Sequence, residues 1–212
     1  MFGPNMKSVV DELRQLLAER RGRVIVGVTG PPGSGKSTFA RELLEVFSAD
    51  AAYVPMDGFH IANAQLERLG RRERKGALDT FDVDGFVTTL RRVVASYQAR
   101  DVYVPAFDRA IEEPVAAGLV VSRDARLVVT EGNYLACSMD GWASVRGLLD
   151  RLYYLDCPPG VRRSRLIERH VAGGRSPESA AAYVDAVDEP NSALIAATET
   201  CCNRTIYLDE QE

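Results

Sequence analysis

The stretch Arg23-Val24-Ile25-Val26-Gly27-Val28-Thr29-Gly30-Pro31-Pro32-Gly33-Ser34-Gly35-Lys36-Ser37-Thr38 decides the fold. Its first seven residues are β-rich and apolar on both faces, the pattern of a strand buried on both sides in a parallel sheet. Gly30 to Ser37 satisfies G-x-x-x-x-G-K-[ST], and Lys36 to about Phe47 reads as the helix that follows. The chemistry requires this spacing. Glycines let successive backbone N–H groups turn inward on an anion, aided by the positive end of the helix. Lys36 is then placed to reach the β- and γ-phosphates, and the Ser37 hydroxyl to ligate Mg²⁺. Residues 30–38 are expected to hold the phosphates of a nucleotide.

Outward from this loop, residues 7–21 place Val9, Val10, Leu13, Leu16 and Leu17 on one helical face. Strand-like runs recur at Ala51–Met56, Val102–Pro105, Leu127–Thr130, Leu152–Asp156 and Thr205–Leu208, with Pro105 closing its run. Helices are expected at Val83–Tyr97, Gly160–Val171 and Pro177–Val187, and Val115–Ser122 reads as a small excursion or hairpin. Alternating strands and helices imply an α/β fold with a parallel sheet and right-handed crossovers. One domain is expected over residues 1–212, with a short lid at about 169–176.

Composition narrows the function. The 212 residues are 46% hydrophobic and 26% charged, as in an ordinary globular chain. A net charge of −4 without any block of like charge argues against a nucleic-acid partner. No run approaches the roughly 18 apolar residues of a bilayer span. The first residues also lack the basic-then-apolar pattern of a secretory signal. Cys137, Cys157, Cys201 and Cys202 form no C-x-x-C pair, so neither a zinc site nor a disulfide framework follows. They read as core residues in a reducing cytoplasm. Lysine is scarce: only Lys7, Lys36 and Lys75 occur among 26 basic side chains. Neither Lys7 nor Lys75 lies in the guanine-reading N-K-x-D motif of GTPases. The L-S-G-G-Q signature of transporter ATPases is absent too, as is the early second lysine of partition ATPases. A small-molecule or nucleotide kinase remains.

In an open parallel sheet, ligands bind beyond the carboxyl ends of the strands. Asp57, Glu131 and Asp156 are expected there. An acceptor hydroxyl needs a carboxylate to orient and deprotonate it, and Mg²⁺ needs oxygen ligands beside the loop. Asp57 is assigned the first role and Glu131 a metal or substrate contact, while Asp156 reads as a turn residue. His60 is read either as a substrate contact or as a polar cap, and His170 as a support of the lid helix. Arg74 and Lys75 are read either as contacts to an anionic substrate group or as solvated charge. Arg109 lies in a loop expected to approach the acceptor. Tyr134 and Trp142 are aromatic candidates for the pocket or the core.

Several motifs together resemble the uridine kinase, pantothenate kinase and phosphoribulokinase superfamily. They are the loop Gly30–Thr38, Met56-Asp57-Gly58-Phe59-His60, Thr80-Phe81-Asp82-Val83-Asp84-Gly85-Phe86 and Glu131-Gly132. Further stretches, Arg74-Lys75-Gly76, Pro105-Ala106-Phe107-Asp108-Arg109, Glu131-Gly132-Asn133-Tyr134-Leu135, Arg165–His170 and Asp188-Glu189-Pro190-Asn191, resemble its bacterial nucleoside/nucleotide kinase-like branch, also described as fructose-transport-system kinases. The resemblance spans about residues 20–209 and implies a P-loop three-layer sandwich with a mostly parallel central sheet. It implies that Asp57 is the base, that Asp82 contacts substrate hydroxyls, and that Arg169 and Arg175 close over the phosphates. A homodimer is a further expectation from the family. Uridine kinases have tyrosines at or near His60 and Phe107 that help hold the nucleoside, so these departures count against uridine as acceptor.

The sequence thus leads to an ATP-dependent kinase acting on a hydroxyl of a small metabolite such as a nucleoside, sugar or pantothenate-like compound. ATP and Mg²⁺ would be its cofactors. His60, Asp82, Phe107, Arg109, Glu131 and Tyr134 join Asp57 on the substrate side, and Lys36, Arg109, Arg169 and Arg175 should form a positive pocket. One rival is a nucleotide or dephospho-coenzyme A kinase, whose acceptor already carries phosphate and which predicts more arginines converging on the acceptor pocket. The other is an ATP-binding regulatory protein with little turnover.

Overall fold

The computed structural model describes residues 4–208, so the outermost parts of the expected 1–212 domain, residues 1–3 and 209–212, lie outside the described residues. The chain runs α1 (Pro4–Glu19), β1 (Val24–Thr29), α2 (Lys36–Phe47), β2 (Ala51–Tyr53), α3 (Asn63–Arg68), α4 (Val83–Ala95), β3 (Val102–Asp108) and β4 (Glu113–Val121). It continues through β5 (Leu127–Glu131), α5 (Ala143–Arg146), β6 (Arg151–Asp156), α6 (Pro159–Ala172), α7 (Pro177–Tyr183), α8 (Glu189–Ala196) and β7 (Arg204–Tyr207).

Five strands form one parallel sheet in the order β2-β5-β1-β6-β7. β1 is buried along its whole length because both faces are covered. Val24, Val26 and Val28 pack with Leu127, Val129, Tyr153 and Leu155 beneath Val9, Leu13, Phe39 and Leu43 of α1 and α2. Ile25, Val128, Leu152 and Tyr154 face the other way, toward α4 and the β3–β4 hairpin. The result is the expected three-layer sandwich. β2 and β5 lie on one side of β1, and β6 and β7 on the other. The loop after β1 therefore opens at the crevice where the strand order reverses, the place such sheets bind ligands.

Two expectations are corrected. Pro105 does not end its strand: β3 continues to Asp108 in an antiparallel hairpin with β4, and the register shifts between Val104 and Ala106. A proline is tolerated at such an irregularity because its missing N–H interrupts the ladder where pairing is already broken. The extension carries Phe107 toward the crevice. The helix expected at Pro177–Val187 is instead α7, a π turn over Val184–Asp188, and then α8, with Pro190 in its first turn. The wide turn accommodates a proline nitrogen that cannot donate.

On the hairpin side, Trp142 is 1% exposed and stands 5.7–6.1 Å, centroid to centroid, from Tyr134, Phe81 and Phe86. Trp142→Ala is expected to cost about 3–5 kcal/mol, because neighbouring rings refill such a hole only in part. Urea titration reads this as a lowered midpoint at unchanged slope. A loss below about 1 kcal/mol would contradict the packing role.

Candidate active site

The phosphate loop is shaped by residues that only this conformation explains. Gly33 has φ +78°, and a Cβ there would lie 2.8 Å from the Arg162 carbonyl oxygen, so the loop can pass α6 only as glycine. Arg162 is itself buried. Its Nη1 donates to Ser192 Oγ at 2.8 Å and more weakly to the Pro32 carbonyl at 3.4 Å. Gly35, also in the left-handed region, starts α2, and its carbonyl accepts from Thr38 N and Phe39 N at 3.0 Å. Within the loop, Ser34 Oγ is buried without a hydrogen-bond partner. Lys36 is 7% exposed, and its Nζ donates to the Pro31 carbonyl at 2.8 Å. A partnerless buried hydroxyl, a buried ammonium and a helix N-terminus in one turn suit a phosphate chain.

Burial pulls the Lys36 pKa down to about 8; Glu131 and Asp57 resist the shift, and Arg169 and Arg162 add to it. A lysine loses its charge as pH rises through its pKa. In the free enzyme, kcat/KM for ATP is expected to fall as pH rises through about 8, approaching about tenfold per unit. An initial-rate pH profile tests this, and a flat profile across that range would mean that the Lys36 charge is not used.

The opposite wall begins at the ends of β2 and β5. Asp57 sits in a single 3₁₀ turn, Met56–Phe59, after β2, whose sheet pairing ends earlier than expected, at Tyr53. Glu131 ends β5 and is 5% exposed. A Cβ on Gly132 would come within 2.5 Å of the Met56 side chain, so this glycine lets the two carboxylate-bearing turns pack together. Tyr53 donates its hydroxyl proton to Glu131 Oε1 at 2.8 Å.

The two carboxyls are pushed apart in acidity. Burial by itself raises Asp57, but His60, Arg109, Arg169 and Lys36 overcome it and hold Asp57 below the usual aspartate range. Burial, reinforced by the Asp57 charge, raises Glu131. Two carboxylates with opposed shifts can divide roles, one ionised and the other more basic. Arg109 forms an ion pair with Asp57 through Nη2 and Oδ2, and its guanidinium rests on the Phe107 ring at 4.7 Å. His60 Nδ1 lies 2.8 Å from the Asp57 backbone carbonyl; that oxygen can only accept, so Nδ1 carries the proton. Burial lowers the His60 pKa, which favours the neutral ring with Nε2 as an acceptor.

These walls enclose a cleft of about 690 Å³. It is lined by Pro32, Gly33, Gly35, Lys36, Ser37 and Thr38 on the loop side, and by Asp57, His60, Phe107, Arg109 and Glu131 opposite. Arg169, in the last turn of α6, and Arg175, in the turn after it, complete the rim. Arg175 lies 4.1 Å from the Tyr183 ring, and Tyr183 donates to the Lys75 carbonyl at 3.0 Å, so Tyr183 of α7 links the expected lid segment to the acceptor wall. His170 is tied to Asp188 at 2.8 Å, consistent with support of the helix. Basic side chains outnumber acidic ones: Lys36, Arg41, Arg72, Lys75, Arg109, Arg165, Arg169 and Arg175 face Asp57, Glu112, Glu131 and Asp188.

Two expected substrate contacts do not line the cleft. Asp82 caps α4 instead, its carboxylate accepting from Gly85 N at 2.9 Å, a side chain spent on an orphan helix donor. Tyr134 is fully buried, its hydroxyl donating to the Gly76 carbonyl at 2.7 Å, and its neighbour Asn133 faces the cleft instead. Sequence reasoning missed Arg41, Arg72, Asn133 and Tyr183. Arg41 alone left a signal, four residues beyond Ser37 and hence on the same helix face.

The residues fit Mg²⁺ as well as a nucleotide. The half-buried Ser37 hydroxyl and the Glu131 carboxylate face one cleft, oxygen donors suited to an ion that keeps waters and phosphate oxygens as its other ligands.

Known proteins share this fold and much of this sequence. The chain is 32% identical to a Silicibacter sp. TM1040 protein provisionally named a fructose transport system kinase; the two structures superpose with a TM-score of 0.87 over 96% of this chain and 100% of the other. It is 35% identical over 167 residues, 74% of this chain and 71% of the relative, to a Schizosaccharomyces pombe protein provisionally named uridine kinase C227.14. It is 32% identical to Escherichia coli K12 YggC over 194 residues, 89% of this chain and 79% of that one. The phosphoribulokinase/uridine kinase family model matches residues 25–200, and with the loop and the fold already in place the chain belongs to that family of P-loop kinases.

Proposed function

We propose that this protein transfers the γ-phosphoryl group of ATP to a hydroxyl of a small metabolite. The observation that carries this reading is the opposition of Lys36 and its loop to Asp57 across a single cleft, with the depressed Asp57 ionised at neutral pH. The loop amides, Ser34 Oγ and Lys36 bind the triphosphate. Ser37 and Glu131 would hold Mg²⁺, which, when bound, supplies charge neutralisation of the β- and γ-phosphates. Asp57 orients the acceptor hydroxyl and takes its proton, and His60 Nε2 is a second acceptor for substrate hydroxyls. Arg169 and Arg175 counter the charge on the migrating group. Positioning and electrostatics thus carry the catalysis.

A reducing, cytoplasmic location is proposed from the state of the thiols. The four cysteines are free thiols, the state of a reducing compartment such as the cytoplasm. No helix among the described residues is long and apolar enough to cross a membrane. A homodimer is proposed on the family resemblance alone.

The test is a phosphorylation screen with γ-labelled ATP across nucleosides, sugars, pantothenate and nucleoside monophosphates. Label is expected on one acceptor class. Tight ATP binding without label on any acceptor would instead favour an ATP-binding regulatory protein.

A further inference from the structure

The wall opposite the phosphate loop is more basic than a neutral acceptor requires. Arg72, Lys75 and Arg109 line it beside His60 and Phe107. Lys75 Nζ lies 5.1 Å and Arg109 Cζ 4.7 Å from the Phe107 centroid, and the His60 ring stands 4.9 Å away. An aromatic side chain that would otherwise offer a nucleobase its face is thus engaged by three neighbours. Lys75 is tied to the scaffold, donating to Asn63 Oδ1 at 2.7 Å and to the Glu112 carbonyl, with Glu113 at 3.8 Å. Arg109 differs. Its side chain is 57% exposed, and its ion pair is with Asp57 itself.

A guanidinium on the base has two effects. It occupies the carboxylate oxygen that an acceptor hydroxyl needs, and its charge makes that carboxylate a weaker base. A neutral hydroxyl is a poor competitor for a charge-assisted pair, whereas another anion can exchange with it.

We propose that the acceptor carries a negative charge, a carboxylate or a phosphate ester, a few bonds from its reactive hydroxyl, and that Arg109 passes from Asp57 to that charge when the acceptor binds. The proposal rests on the kinase reading above and names its substrate class. Arg72 adds a favourable field at the same wall; Lys75 is partly offset by its ion pair with Glu113, and Glu112 is solvent-exposed and screened. Freed of its partner, Asp57 takes the hydroxyl proton. The acceptor oxygen then bonds to the γ-phosphorus, and the bond from that phosphorus to the β-bridging oxygen breaks, its electron pair leaving with ADP.

The experiment separates a deproteinised metabolite extract on an anion-exchange resin and incubates the neutral and anionic fractions separately with the protein, γ-labelled ATP and Mg²⁺. Labelled product is expected from the anionic fraction. Treating that fraction with phosphatase beforehand, then removing the phosphatase, abolishes the product if the charge is a phosphate and leaves it if the charge is a carboxylate. Product from the neutral fraction alone overturns the proposal and leaves the kinase reading standing. No product from either fraction removes both. With the acceptor so obtained, Arg109→Gln is expected to lower kcat/KM about 10–100-fold, mainly through the acceptor KM, with the KM for ATP unchanged and partial recovery in Arg109→Lys. An unchanged acceptor KM in Arg109→Gln would overturn the assignment of Arg109 to the acceptor's charge.

Discussion

Asp57→Asn is expected to lower kcat about 10²–10⁴-fold, the range that loss of a general base produces, while ATP binding is retained. The amide keeps the shape of the carboxylate but cannot take a proton. It also leaves Arg109 without its ion-pair partner, so a charge is lost where the acceptor hydroxyl must be oriented. The nucleotide side keeps its geometry because Lys36 is held by the Pro31 carbonyl and the α2 N-terminus by its own loop, although loss of the Asp57 charge lets the Lys36 pKa fall further. Single-turnover transfer, with nucleotide affinity measured separately by calorimetry, distinguishes these effects. Unchanged transfer would remove Asp57 from the mechanism and leave Glu131, whose acidity is shifted the other way, as the base to test.

Lys36→Met is expected to be at least as damaging, and in a different way. Removing one preorganised donor from a developing charge costs about 10²–10³ in kcat, and the same ammonium also binds the ground-state phosphates. Both kcat and the KM for ATP should therefore suffer. Folding should not. Lys36 is buried at a desolvation cost that is visible in its pKa of about 8, and methionine fills a similar volume without that cost. An undiminished melting temperature beside lost activity is the expected pair of results. A lowered melting temperature would show that the ammonium is needed to hold the Pro31 carbonyl and the loop around it.

How much of this was legible beforehand depended on the range of the interaction. β1, β5 and β6 announce themselves because burial on both faces demands unbroken apolar runs. The path through Pro105 was not legible, because a proline reads as a stop unless a partner strand supplies a register shift. The turn that holds α7 and α8 together was equally hidden, since a π turn has no periodicity of its own. Asp57 and Glu131 could be placed on the cleft from sequence because they follow β2 and end β5, whose carboxyl ends open onto it. Asp82 was misplaced because an aspartate three residues before a glycine can equally serve a helix N-terminus. Tyr134 was misplaced because its neighbour's side chain, and not its own, faces the cleft.

By itself the sequence determined the phosphate loop, the parallel α/β class and the two strand-end carboxylates. Each is encoded in a local run whose chemistry is the same wherever the run occurs. Only the tertiary structure decided which cations share the acceptor wall. Arg72 and Lys75 share one segment, Arg109 lies in a second, and Arg169 and Arg175 in a third, so nothing in the sequence spacing brings the three groups together. The same holds for the pairing of Arg109 with Asp57, which are 52 residues apart. Charge acts through space over several ångströms, and only the folded chain sets those distances.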